Sequence, residues 1–369
     1  MPTPAEPKPQ CQPTFSPSVP QTMGAAITAG RERDASDPAT TLKVNLLAQV
    51  PILAHVLGTG WTTVDAAAAA AGVDAGQACD LIDVAGFAVT PQKAGLAGQK
   101  PSETRTVQPV PNPGDRYIVA GLKLIDEANP GALDKTGFLT ADFQTLAAQY
   151  SKESQGFEGV GATEVYKGVY GINGEANWTP FVTAMEKDGV KLQKFIGEGA
   201  NGAAFEKARQ TAGFEPEVRL YETNFYDQEF VKAGGSAVDG ALITSAFIPM
   251  EEADTHPATQ QYLDVMDQQG GKKALLGLQS TSAWLLFATL ARDCDQAGDL
   301  TRSCILKGAD AVDDWTGGGL HAATNPGNND PAECQMVMEI KDGKFTRWGP
   351  DDEDFSCPEG AVVDVEPAK

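Results

Sequence analysis

The sequence predicts an α/β protein of two lobes, each a mainly parallel sheet flanked by helices, joined by a hinge of three crossing strands. Three observations lead there. Between Lys135 and Glu222, short β-like runs alternate four times with amphipathic helical runs. Strands separated by helices of that length build βαβ units, and hence a parallel sheet covered on both faces. Proline-punctuated or apolar stretches at 107–113 and 240–250, with the glycine triplet Gly317 to Gly319, mark three passages between lobes. The 369 residues are enough for two domains of ordinary size, each with its own core.

A formal charge of −22 argues against nucleic acid or anionic lipid as partners, both being polyanions. No run approaches the ~20 apolar residues that a membrane span needs. Residues 1–34 open with MPTPAEPKPQCQPTFSPSVPQ, too rich in proline for helix or central strand, and read as a disordered leader. They lack the basic start and apolar core of a signal peptide.

Asp37-Pro38 then opens the helical run ATTLKVNLLAQ, with proline where its missing N–H costs nothing. PILAHVLG is a buried strand candidate, VDAAAAAAG a helix ended by glycine, and DVAGFAVT a further strand. After VQPVPNP, a helix is expected from Asp115 to Asn129. The alternating stretch follows as KTGFLTAD, FQTLAAQYSKE, ATEVYKGVY, TPFVTAMEKDG, VKLQKFIG, AAFEKARQTAGF and PEVRLYETN. GALITSAFIPM makes the second passage, and three helical runs lead to the glycine triplet. MVMEI and FTRW around KDGK form a terminal hairpin. In parallel sheets ligands sit outside the carboxyl ends of strands, so a site should be built from residues 140–143, 197–202 and 222–226.

Six cysteines occur, none in a CxxC pair, and His55, His256 and His321 lie far from them, so no metal site is expected. Each histidine reads as a surface or capping residue. Cys294 and Cys304 flank a short polar loop and Cys334 and Cys357 flank the hairpin, which predicts two bridges; Cys11 with Cys79 is left by elimination. Such bridges suit an oxidising compartment, the alternative being six reduced thiols in a cytosolic protein.

The sharpest motif is Gly197-Glu198-Gly199-Ala200-Asn201-Gly202, after a strand, before a helix, and followed at an interval of about twenty residues by Glu222. That is the context of a dinucleotide fingerprint and would make the protein an NAD(P)-dependent oxidoreductase. Against it, earlier βα units precede the motif, and Lys191, Gln193 and Lys194 make its strand more polar than a fully buried central strand should be. The competing reading is a tight turn whose N–H groups line a cleft. No nucleophile elbow, P-loop or metal helix is present.

DPATTLKVNLLAQ, HVLGTGWTTVDAA, DVAGFAVTP, VQPVPNPGDRY, GFLTADFQT, EANWTPFVTAMEKDGV, EEADTHPATQQYLD, SAWLLFATLARDC, LTRSCIL, WTGGGLHAATNPG and the last hairpin occur in an order that resembles one known family. It is that of the type I periplasmic solute-binding proteins of ABC transporters, in the branch around the leucine/isoleucine/valine receptors and their actinobacterial relatives. The resemblance implies lobe 1 from 35–110 and 245–318 and lobe 2 from 111–244 and 319–369. It implies no catalysis, no cofactor and no metal. A monomer outside the cytoplasm would capture a small amino-acid-like or amide solute for a transporter permease. A sensory or scaffold relative that has lost the ligand is the third reading.

By the same resemblance, loops at Thr59, Trp61 and Thr62 and at Phe87, Ala88 and Thr90 would hold the solute from lobe 1, with Gln279. Phe143, Glu198, Asn201, Glu222 and Asn224 would face them from lobe 2, an acid among them pairing with a ligand ammonium. The segment before Asp37 is shorter than the family's opening strand–helix–strand, so one βαβ of lobe 1 is expected to be missing or degraded.

Overall fold

The computed structural model describes residues 81–368. The leader, the first helical runs, Thr59, Trp61, Thr62, Cys11 and Cys79 lie outside the described residues.

The larger lobe grows from the alternating stretch. Its strands are β4 (Thr136–Ala141), β5 (Glu164–Tyr170), β6 (Leu192–Phe195), β7 (Val218–Tyr221) and β8 (Leu242–Ser245), following β1 to β3 described below. All five are parallel, in the order β5-β4-β6-β7-β8. The chain therefore leaves β4 toward one neighbour and returns to build outward from the other, which makes the gap between β4 and β6 a topological switch point. The expected terminal hairpin, β9 (Met336–Lys341) and β10 (Lys344–Gly349), extends the sheet as an antiparallel edge beside β8.

Helices cover both faces. Taken in chain order they are α1 (Pro91–Ala94), α2 (Pro101–Thr104), α3 (Ala120–Ala128), α4 (Gln144–Gly159), α5 (Thr179–Lys187), α6 (Gly199–Ala212), α7 (Gln228–Gly234), α8 (Pro257–Gln269), α9 (Leu275–Gln296) and α10 (Arg302–Ala309). Between β6 and the α6 face lies an aromatic cluster in which Phe195 stacks on Tyr170 and Tyr221 at 5.3 and 5.8 Å between ring centroids. Buried aromatics of this size dominate core energetics, each contributing about 2–3 kcal/mol through area alone.

β6 corrects one expectation. It is an interior strand with all four residues buried, despite Gln193 and Lys194. Alternation sends the two side chains to opposite faces. Gln193 donates to Glu206 of α6 at 3.1 Å and to the Tyr221 hydroxyl at 3.2 Å, and Arg209 and Arg219 hold the same Glu206 carboxylate at 2.7 and 2.8 Å. Lys194 pairs on the other face with Glu153 of α4. Polarity is tolerated in this buried strand because the Gln193 amide N–H groups and the Lys194 ammonium have partners, although Gln193 Oε1 has none among the described residues.

Residues 115–129, expected as one helix, are strand β3 (Arg116–Ile118) followed by α3. The strand exists because the C-terminal β11 (Val362–Asp364) pairs with it antiparallel, placing Val363 opposite Tyr117. That partner lies at the other end of the chain, so no local pattern could announce it. Beyond β11 the tail continues along the lobe. Val365 N–H donates to Asp115 O at 3.0 Å and Gln155 brackets Glu366 with two backbone contacts.

The described part of the smaller lobe contains β1 (Asp83–Val84) parallel to β2 (Thr106–Val107), with α9 and α10 packed alongside. Ile82, Val107, Leu286, Leu290, Ile305 and Leu306 form its core. Only the first residues of DVAGFAVT are strand. The Cys294–Cys304 bridge ties the end of α9 to α10, and Cys334–Cys357 ties the start of β9 to the segment after β10, both as expected.

The three passages lie side by side. Ala322 N–H donates to Ala246 O at 2.8 Å, Ile248 N–H to Leu320 O at 3.0 Å, and Thr324 Oγ1 to Pro109 O at 2.7 Å. His321 sits in this ribbon, buried, which corrects its reading as a surface or capping residue. Its Nδ1 lies 2.8 Å from Ala322 O and its Nε2 2.8 Å from Ser282 Oγ, which also accepts from Trp315 Nε1 at 2.9 Å. His256 does occupy a helix N-cap position, that of α8.

Candidate functional site

A cavity of about 190 Å³ opens at the switch point, where the ends of β6, β7 and β8 meet α4, the passage at 110–114 and elements of the smaller lobe. This is smaller than the roughly 300–1,000 Å³ of a drug-sized site and suits a compact solute. The loops after parallel strands form its floor because every strand of the βαβ series ends on the same edge of the sheet.

Phe87, Glu198, Glu222, Asn224 and Gln279 line this cavity. Ala88 and Thr90 stand behind Phe87; Ala88 packs with Ala85 and Ala94, and Thr90 is the buried residue before α1. Phe143 precedes α4 and packs on the core, while the cavity is lined instead by Leu146, Ala148, Gln149, Lys152 and Glu153 of the helix it opens. Asn201 is buried beneath the rim, its amide donating to Ile172 O at 3.1 Å and to Glu198 Oε1 at 2.5 Å.

The glycine loop has a packing explanation. A Cβ on Gly197 would lie 1.9 Å from the Tyr170 hydroxyl, and one on Gly202 2.6 Å from the Phe225 ring. Glu198 caps α6, its Oε2 accepting from Ala200 N–H at 3.0 Å. A pyrophosphate would need that same helix N-terminus, and here a carboxylate occupies it. Burial raises the Glu198 pKa, opposed by those backbone bonds.

The polar heart of the cavity joins the expected Glu222 to Gln149, Glu153 and Lys194, which the sequence pattern did not single out for the site. Lys194 Nζ lies 3.1 Å from Glu153 Oε2, and Gln149 Nε2 donates to Glu153 Oε1 at 3.0 Å and also to Glu222 Oε1. Two buried carboxyl groups thus share the Gln149 amide, and the Lys194 ammonium pairs with Glu153. Burial pushes Glu222 well above the carboxylate range, and the Glu153 charge pushes it further. Burial, the largest influence, opposes ionisation of Glu153 too, but the Lys194 charge together with hydrogen bonds from Glu222, Lys194 and Gln149 holds the group below its ordinary value. The pair divides the roles: Glu153 is the anion, Glu222 the neutral acid able to donate.

Lys152 stands nearby, half-buried, donating to Asn112 Oδ1 at 2.6 Å and Pro113 O at 2.7 Å. Burial lowers its pKa to about 8, against the pull of Glu153 and Asp115. Arg116 is held by Asp115 at 3.1 Å and Asp364 at 3.2 Å. Gln279, buried on α9, contributes from the smaller lobe, and its Oε1 has no hydrogen-bond partner among the described residues. The polarity of β6 was the sequence signal for Lys194; nothing local pointed to Glu153 or Lys152. Among the described residues there is no cluster of metal-ligating side chains and no helix long and apolar enough to cross a membrane.

Comparison with known proteins agrees with this architecture. A family model described as periplasmic binding protein matches residues 132–344. Similar solved structures include a leucine binding protein from Thermotoga maritima, at 16% identity and TM-score 0.54, covering 67% of this chain and 69% of that one. A branched chain amino acid ABC transporter from Thermus thermophilus with bound valine aligns at 15% identity and TM-score 0.56, covering 69% and 70%. A fatty acid ABC transporter substrate-binding protein from Thermomonospora curvata aligns at 15% identity and TM-score 0.58, covering 73% and 68%. At these identities the likeness is one of fold. Comparison of the sequence with curated proteins returned no match.

Proposed function

Since this chain belongs to the periplasmic binding protein family, we propose that it is an extracytoplasmic receptor that captures a small amino-acid-like or amide solute for the permease of an ABC importer. The observation that carries this reading is the cavity itself. It lies at the switch point of the larger lobe, is rimmed by Phe87 and Gln279 of the smaller, and is edged by the first two passages, through Val110 to Asn112 and Thr244 to Phe247. Such a geometry closes on a hinge around a ligand. The lobes are residues 35–110 with 245–318 and residues 111–244 with 319–369.

The reading involves no turnover, and the protein acts as a monomer. Glu222, Asn224, Gln149 and Gln279 supply the few converging polar groups that orient a small solute in such a site. The leucine, valine and fatty acid named for the structural neighbours bracket the size of solute.

A thermal-shift screen against amino acids, short amides, fatty acids and NAD(H) tests the proposal. A ligand at a hundred times its Kd stabilises the native state by ~2.7 kcal/mol, a visible shift in Tm. Stabilisation by a small solute establishes the receptor, whereas stabilisation by NAD(H) alone would return the glycine loop to an enzyme.

A further inference from the structure

Resting on the solute-receptor reading, we propose that the captured solute carries an anionic group, a carboxylate in the simplest case, and that Lys152 anchors it. The argument is one of charge pairing inside the cavity. Three cations line its wall: Arg116, Lys152 and Lys194. Arg116 is neutralised by Asp115 and Asp364, and Lys194 by Glu153. Lys152 has no carboxylate partner among the described residues.

The carboxylates nearest in sequence and charge are already committed. Asp115 accepts from Ala97 N–H at 2.8 Å besides pairing with Arg116, and Glu153 holds Lys194 and Gln149. The ammonium of Lys152 instead faces two neutral oxygens, Asn112 Oδ1 and Pro113 O. An ammonium has three donors, so one remains for a ligand. A partly desolvated ammonium without a counter-ion is costly until an anion joins it, and the charge-assisted hydrogen bond then formed is of the strong kind. An amide or a cationic solute offers Lys152 no such partner.

The placement also links capture to the crossing segment. Asn112, which holds Lys152, donates through Nδ2 to Ala88 O at 3.0 Å, so the anchor on α4 is wired to the lobe 1 loop behind Phe87. A carboxylate drawn to Lys152 would bear on both lobes at the hinge side of the cavity.

The experiment is a thermal-shift and calorimetric comparison on the full chain. The probes are straight and branched carboxylates of about two to eight carbons, with and without an α-amino group, each matched with its own primary amide and sized for a cavity of this kind. We expect the acids to bind and their amides to bind at least tenfold more weakly. Lys152→Met should remove that preference while leaving the unliganded Tm near wild type, and Lys152→Arg should retain part of it. A matched amide that binds as well as its acid overturns the anchor while leaving solute capture intact, as does undiminished acid binding by Lys152→Met. No shift with any acid or any amide would sink both the anchor and the receptor reading. If Lys152→Met loses its cooperative transition, the acid–amide comparison on the wild type and Lys152→Arg decides.

Discussion

Lys194 Nζ lies 3.1 Å from Glu153 Oε2 across the interface between β6 and α4, and both side chains are almost wholly buried, at 2% and 4% exposure. A buried pair of this kind adds little over an apolar equivalent, but removing one partner strands a charge and costs about 3–5 kcal/mol. Lys194→Met should therefore be strongly destabilising. The double variant Lys194→Met/Glu153→Leu should recover much of the loss, which urea denaturation can measure.

Glu222 belongs to the same cluster and should behave oppositely. Its folded-state pKa is raised, so the folded protein binds more protons than the unfolded chain, and stability falls as pH rises from the ordinary carboxyl range through the raised value. Glu222→Gln mimics the neutral acid. It should change stability near pH 7 by less than about 1 kcal/mol, within the range of a substitution that strands no charge, and flatten the alkaline side of the profile. Glu153→Gln should instead cost on the order of 3 kcal/mol by leaving Lys194 unpaired. Equal losses for the two glutamines would refute the division of roles.

His321 gives the acid side of the profile. Burial lowers its pKa to about 4 from 6.5, with the bond to Ala322 O opposing. The unfolded chain therefore takes up a proton below its own pKa while the folded protein does not. Stability contributed by the neutral imidazole is complete above pH 6.5 and declines as pH falls toward 4, by roughly 3 kcal/mol at about 1.4 kcal/mol per pH unit. Denaturation midpoints measured between pH 4 and 7 should steepen in the wild type and flatten in His321→Gln.

Gly197→Ala tests the packing explanation of the glycine loop. Its Cβ would stand 1.9 Å from the Tyr170 hydroxyl. Overpacking of this kind costs roughly 1–3 kcal/mol. Adding Tyr170→Phe removes the clashing oxygen and should return part of that loss, an interaction that a double-mutant cycle would expose.

The Cys294–Cys304 bridge closes a short loop, with a sequence separation of 10. Replacing both cysteines with serine should lower stability by about 2–4 kcal/mol, and the effect should vanish when wild type and variant are compared under reducing conditions. The loss should concentrate in α10, which hydrogen exchange can localise.

The parallel sheet was legible because its signal is local. Each strand from β4 to β8 is a short β-type run bounded by turn residues, with a helical run between it and the next. β3 was not legible, since Arg116 to Ile118 becomes a strand only through Val362 to Asp364, and a short polar run followed by Leu122 and Leu124 looks like the start of a helix. The site divides in the same way. Glu198, Glu222 and Asn224 follow strand ends and could be found by topology alone. Lys152 and Glu153 project from the third turn of α4, where residues of their type ordinarily face water. Only the depth of the sheet edge beneath the helix turns them inward. Lys194 did announce itself as an oddity in an apolar strand, and its meaning emerged only with Glu153 beside it.

The tail that pairs through β11 carries on until Ala368 borders the cavity. A group attached at Ala368 therefore sits beside the binding cleft. An affinity tag appended there would compete with the solute for space and charge, so purification handles belong at the other terminus. For a sensor the same placement is an asset: an environment-sensitive dye on a cysteine substituted for Ala368 would sit at the cleft and report occupancy directly.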